Sequence, residues 1–247
     1  MLPITLKLKH NYNNNKNHNL EIVSFPVSPA VIEYVKVYDK NKLTVIHVSN
    51  INKDESIEKS IYISKNTTTE VFTADKIFTR SFETDDYYLV HKVCKDLSTI
   101  AITAVTKPRS QIRYIKNNRI SLVRLENNIW TYFNDVVLPP QVKYKNRYRL
   151  SQIMSFDHKG DHLGVLLSAK DKHIRTTRRG CGVIYEVDNR KYVYRGYFKY
   201  KTTSSEYDST LLDIRYNIDS KSLDIILIGD KEQNCKLITE EKEKNYE

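Results

Sequence analysis

"IMSFDHKGDHLGVLLSA", residues 153–169, sets two apolar runs on either side of the polar turn "DHKGD". A short apolar run, a glycine-containing turn and a second apolar run read as an antiparallel strand pair. The same plan recurs in "EYVKVYDKNKLTVIHVS" (33–49), in "YYLVHKVCKDLSTIAITAV" (87–105) and in "LLDIRYNIDSKSLDIILIG" (211–229). The first apolar residue after each turn is Leu43, Ile100, Leu163 and Leu223, at intervals of 57, 63 and 60 residues. A near-constant interval of this kind marks a repeat architecture.

Each unit then continues in a similar way. "CGVIYEV" (181–187) and "KYVYRGYF" (191–198) flank "DNR", "RISLVRL" (119–125) and "IWTYF" (129–133) flank "ENN", and the first unit offers "KSIYIS" (59–64) and "TEVFT" (69–73). The expectation is an all-β chain: a β-propeller-like array of about four four-stranded antiparallel blades, in units of roughly 31–74, 87–134, 148–199 and 209–239. A β-sandwich is the alternative. "SFDHKGDHLGVLL" (155–167) followed by "GVIYEVDNRKYVYRG" (182–196) is similar to the strand, D-x-x-G-x-x-L turn, strand segment of the WD40-like β-propeller superfamily, with the best match in 150–198. The Trp-Asp dipeptide is absent and the lone Trp130 falls in a fourth strand, so the chain resembles the degenerate members. What the resemblance implies is a non-enzymatic scaffold whose loops bind other proteins within an intracellular complex, with no cofactor.

One blade cannot bury both of its faces, so blades stack and share a core. The second strands "LTVIHV", "IAITAV", "LGVLLSA" and "LDIILIG" are apolar enough to need cover on both sides. The fourth unit has a third strand in "CKLIT" (235–239) and no fourth; "ITLKLK" (4–9) or "LEIVSF" (20–25) is one candidate to supply it, the alternatives being an incomplete ring finished by another polypeptide or a truncated copy of a longer protein. Residues 1–30 therefore hold N-terminal strands around the low-complexity "HNYNNNKNHN" (10–19), and 240–247 form a disordered tail.

Forty basic against thirty acidic side chains give a net charge of +10, which favours acidic or phosphorylated protein segments or nucleic acid as partners. Cys94, Cys181 and Cys235 are odd in number and widely spaced, against a disulfide framework or a zinc finger. No run approaches the length of a transmembrane helix, the N-terminus lacks a signal-peptide pattern, and a cytoplasmic or nuclear location is expected. His158 and His162 flank a turn, whereas ligands four residues apart converge on a helix, so no metal is expected there. No nucleophile elbow or phosphate-binding loop is present, and the expectation is that the chain is not an enzyme.

Basic stretches supply the candidate binding residues. "KPRSQIRYIKNNR" (107–119) carries Lys107, Arg109, Arg113, Lys116 and Arg119, and "KDKHIRTTRRG" (170–180) carries Lys170, Lys172, Arg175, Arg178 and Arg179. Both join the second and third strands of their units, which would bring them to one face of the array to meet an anionic partner. "KYKNRYR" (143–149) interleaves Tyr with Lys and Arg. Phosphates attract such cations and unpaired bases stack on tyrosine, so RNA or another phosphate-bearing ligand is the alternative function.

Overall fold

The computed structural model describes residues 3–9, 19–24, 30–39, 42–65, 71–106, 119–138, 154–167, 178–202, 211–217, 222–227 and 232–239. These residues are all-β and contain no helix. The chain forms two compact units, residues 1–87 and 88–247.

The first unit is one antiparallel sheet built from β1 (Ile4–Lys9), β2 (Asn19–Ser24), β3 (Ala30–Tyr38), β4 (Leu43–Ile51), β5 (Ile57–Ser64) and β6 (Val71–Phe82), in the order β2-β1-β6-β5-β4-β3. The sheet curls, and Ile4, Leu6, Ile46, Val48, Tyr62, Phe72 and Ala74 form a core on one face. The expected destination of the N-terminal strand is corrected here: β1 does not complete the fourth sheet but pairs with Val71–Ala74 of β6. β6 is twelve residues long, and only Asp75–Phe82 is taken up by β5. Its first residues thus leave an open edge, and pairing there buries Ile4 and Leu6 completely.

The second unit holds three sheets. β7 (Tyr87–Val93), β8 (Thr99–Thr106), β9 (Arg119–Glu126) and β10 (Ile129–Val137) form the second sheet of the chain. β11 (Met154–Phe156), β12 (His162–Leu167), β13 (Arg178–Asp188) and β14 (Lys191–Thr202) form the third. β15 (Leu211–Asn217), β16 (Ser222–Leu227) and β17 (Gln233–Lys236) form the fourth. Within each, sequence neighbours are sheet neighbours, the up-and-down order of a blade rather than the Greek key of a sandwich. Asn127–Asn128 and Asn189–Arg190 turn their hairpins with two consecutive positive φ values, a geometry that matches strand twist.

All four anchors are buried: Leu43, Ile100, Leu163 and Leu223. The second strands β4, β8 and β12 are covered on both faces, as their composition requires. β16 departs from this. Leu223 and Ile225 are buried with Ile214, Cys235, Phe198 and Ile184 between the third and fourth sheets, while Ser222, Asp224 and Ile226 stay partly exposed. The other face of the fourth sheet is polar, with Asn234 Nδ2 donating to Asp224 Oδ1 at 2.6 Å and Arg215 3.6 Å from Glu232. A polar outer face is what a terminal repeat needs, and it replaces the double coverage expected of "IILI". Among the described residues the fourth sheet has three strands, and Ile238 leaves it to bridge Tyr197 on β14 through two backbone bonds of 3.0 and 2.8 Å.

Candidate functional site

The turns Cys94–Thr99 and Asp157–His162 have the same construction. In each, the first N–H donates to the sixth carbonyl (2.9 and 3.1 Å) and the fourth N–H to the first carbonyl (3.1 and 3.3 Å). The fifth carbonyl accepts from the third strand of its sheet, Leu125 N of β9 at 2.7 Å and Val187 N of β13 at 2.9 Å. The fourth residue has positive φ, 61° at Leu97 and 75° at Gly160. The sixth N–H donates to the side chain of the first: Thr99 to Cys94 Sγ at 3.0 Å, His162 to Asp157 Oδ1 at 3.1 Å. Cys94 thus fills the capping place of Asp157. Sequence reading missed this role, although counting back from the anchors Ile100 and Leu163 aligns the two residues.

The two turns meet. A Cβ at Gly160 would touch Thr99 Oγ1 at 3.4 Å and Cys94 Sγ at 3.5 Å, so the glycine allows the close approach. Tyr192 donates its hydroxyl to the Gly160 carbonyl, and burial pushes its phenol well above the ordinary range. Asn134 of β10 holds both backbone groups of Tyr192, donating from Nδ2 to the carbonyl at 3.1 Å and accepting the N–H on Oδ1 at 3.0 Å. Burial also raises the Cys94 thiol, which donates to Asp96 Oδ1 at 2.5 Å. Such a thiol is a cap, not a nucleophile. Lys95, in the same turn, reaches Asp213 of β15 at 2.8 Å, so the second and fourth sheets come together at this end of the unit.

His162 stands at the junction of the third and fourth sheets. Its Nδ1 lies 2.7 Å from Asp157 Oδ2, Nε2 lies 3.9 Å from Glu186 Oε1, and the Tyr216 ring is 4.8 Å away. Burial raises the Asp157 carboxyl, but the hydrogen bonds from the His162 ring and backbone outweigh it and hold the group below its ordinary value. His158 is exposed at the tip of the turn. The His–Asp pair thus faces a carboxylate of β13 and a phenol ring of β15.

Of the basic residues singled out from sequence, Lys107, Arg109, Arg113, Lys116, Lys170, Lys172 and Arg175 lie outside the described residues, as does "KYKNRYR". Arg178 and Arg179 open β13, opposite Thr202 and Lys201. Arg119 opens β9, with Nη1 3.0 Å from Asp135 Oδ2 on β10. That places an acid of this chain against one expected cation.

An apolar surface appears instead on β10, the terminal strand of its sheet. Ile129, Tyr132 and Val137 are 65%, 61% and 57% exposed. Ile129 and Tyr132 lie three residues apart with regular pairing to Glu126 and Val123, so they project to opposite faces. The first half of β10 therefore carries one exposed apolar side chain on each face, while its second half is held by Asn134 and by Tyr185, whose hydroxyl donates to the Val137 carbonyl at 3.0 Å.

No family model and no curated protein matches this chain. Among solved structures it is similar to the N-terminal domain of Nup159, at 10% identity and a TM-score of 0.28, over 90% of this chain and 58% of that one. The chain thus spans little more than half the length of that domain.

Proposed function

We propose that this chain is a non-enzymatic protein-interaction module of WD40-like type, a scaffold within an intracellular complex. The observation that carries the reading is the edge strand β10, paired on one side with β9, where Ile129 and Tyr132 offer apolar contact on the two faces of the strand. Exposed edges attract further strands and are tolerated where they serve association. Tyrosine and arginine are the residue types that anchor protein interfaces, and Tyr132 and Arg119 share a face of this hairpin.

The test is affinity capture of the tagged full chain from native lysate with and without nuclease, beside two double variants. One carries Ile129→Lys with Tyr132→Lys, the other Arg178→Glu with Arg179→Glu. Protein partners that survive nuclease, are lost with the β10 variant and are kept by the arginine variant are the expected result. Recovery of nucleic acid, with partners lost on digestion and with the arginine variant, would replace the scaffold by the phosphate-binding reading.

A further inference from the structure

β10 ends its sheet, and its register with β9 decides which backbone groups face outward. Asn127–Asn128 close a two-residue hairpin, which makes Glu126 and Ile129 a hydrogen-bonded pair. Pairs then alternate, so Trp130 and Tyr132 turn their N–H and carbonyl groups away from β9. The bond from Leu125 N to the Ser98 carbonyl agrees, because Leu125, opposite Trp130, also turns away from this pairing. After the irregularity at Tyr132/Asn134 the outward residues are Asp135 and Val137. Their carbonyls are taken, by Asn134 Nδ2 at 3.1 Å and by the Tyr185 hydroxyl at 3.0 Å. Among the described residues nothing bonds the outward N–H and carbonyl groups of Trp130 and Tyr132. The open edge is thus the short stretch Ile129–Tyr132.

We propose, resting on the reading of β10 as an interaction surface, that this stretch takes one more strand: an extended acidic segment of another protein that pairs with the backbone of Trp130 and Tyr132. The fold already uses an outer strand in this way. Tyr197 of β14, the terminal strand of the third sheet, exchanges two backbone bonds with Ile238. Side chains set the chemistry of the occupant. Trp130 and Tyr132 share one face and offer it apolar contact. On the other face Thr131 is opposite Arg124, whose guanidinium lies 5.5 Å from the Phe133 ring and meets no carboxylate among the described residues. An added strand therefore gains from apolar residues beside Trp130 and Tyr132 and from an acid beside Thr131, while Glu126 disfavours a second acid beside Ile129. A second copy of this chain is the poorer occupant. Each copy carries a net charge of +10, and so short an edge falls far below the roughly 1,200–2,000 Å² that a stable dimer buries.

Trp130 is the chain's one tryptophan, and its emission reports occupation of the edge. The experiment titrates the full chain with short end-blocked peptides: alternating valine and glutamate, alternating valine and lysine, and the glutamate peptide N-methylated at its valines. Those valines are the residues that would pair with Trp130 and Tyr132. The glutamate peptide should give a saturable blue shift below about 1 mM, the lysine peptide should bind about tenfold more weakly, and the methylated peptide should not bind. Tyr132→Pro removes an outward N–H and no bond to β9, so it should bind about tenfold more weakly than Tyr132→Ala; the methylated peptide serves if the proline chain fails to fold. No saturable shift with the glutamate peptide, or equal binding by folded proline and alanine chains, overturns the proposal. Equal binding of the methylated peptide, with lysate partners still lost on Ile129→Lys with Tyr132→Lys, overturns strand addition but leaves β10 as an interaction surface. Lysate partners kept by that double variant overturn both. A dimer in sedimentation that Tyr132→Pro abolishes overturns the proposal in favour of a second copy.

Discussion

Leu97 and Gly160 occupy the same place in two turns of the same construction, and the backbone asks the same positive φ of both. For an L side chain that conformation costs about 1–2 kcal/mol, and for glycine almost nothing. Leu97→Gly should therefore be tolerated within about 1 kcal/mol, because relief of the strain offsets the extra freedom of the unfolded chain. Gly160→Leu adds the strain and presses on Cys94 and Thr99, and should cost about 3 kcal/mol or more by urea unfolding. Gly182 serves a different need. A Cβ there would lie 2.2 Å from Phe198 Cζ, inside a buried contact between β13 and β14. Gly182→Ala should lower stability by about 2–4 kcal/mol, and pairing it with Phe198→Leu should recover part of that loss. Equal tolerance of Leu97→Gly and Gly160→Leu would show that the two turns are not alike.

Between elements, polar side chains do what backbone pairing does within a sheet. Asn134 sits just after the irregularity at Tyr132/Asn134 in the β10–β9 register, and there its amide reaches the backbone of Tyr192 on β14. Asn134→Leu keeps the branching at Cγ and the number of side-chain heavy atoms, and strands two backbone groups. The expected loss is about 2–4 kcal/mol in chemical unfolding, with exchange rising first in β10 and β14. In the first unit Lys59 is 1% exposed and bonds Glu33, the irregular residue of edge strand β3, as well as Asp85 at 3.0 Å. Removing the acid leaves a buried ammonium with one exposed partner, whereas removing the ammonium leaves a carboxylate that water can reach. Glu33→Ala should therefore destabilise more than Lys59→Met, by up to about 3 kcal/mol. The reverse order in thermal unfolding would mean that Lys59 is solvated in the native state. The strand pairs themselves were legible in advance, because alternation and turn residues are local. The partner of Asn134 and that of Lys59 were not, because each lies on a strand that only the fold brings near.

For the molecule as a whole, alkaline stability is set by buried acids that must stay neutral. Burial, with Asp224 adding to it, pushes the Cys235 thiol up to about 11, while an unfolded thiol ionises near pH 8.5. A raised native value means that the contribution is complete below the unfolded value and is lost as pH rises through the native one. Stability should fall from about pH 8.5 upward, and Cys235→Ala should flatten that fall in urea midpoints taken across the range. An unchanged slope would place the loss on Tyr192 and Tyr38, whose burial also raises them. The sequence by itself determined the all-β class, the four strand–turn–strand segments and their buried anchors, since these depend on patterns a few residues long. It also singled out basic residues, of which Arg119 meets an acid across its own hairpin. Only the tertiary structure decided that β1 joins β6, that the fourth sheet is apolar on one face, that Cys94 caps like Asp157, and that β10 carries an exposed apolar edge. Those outcomes turn on which open edge and which uncovered face lie within reach once the chain has collapsed, and alternation along a strand carries no record of that.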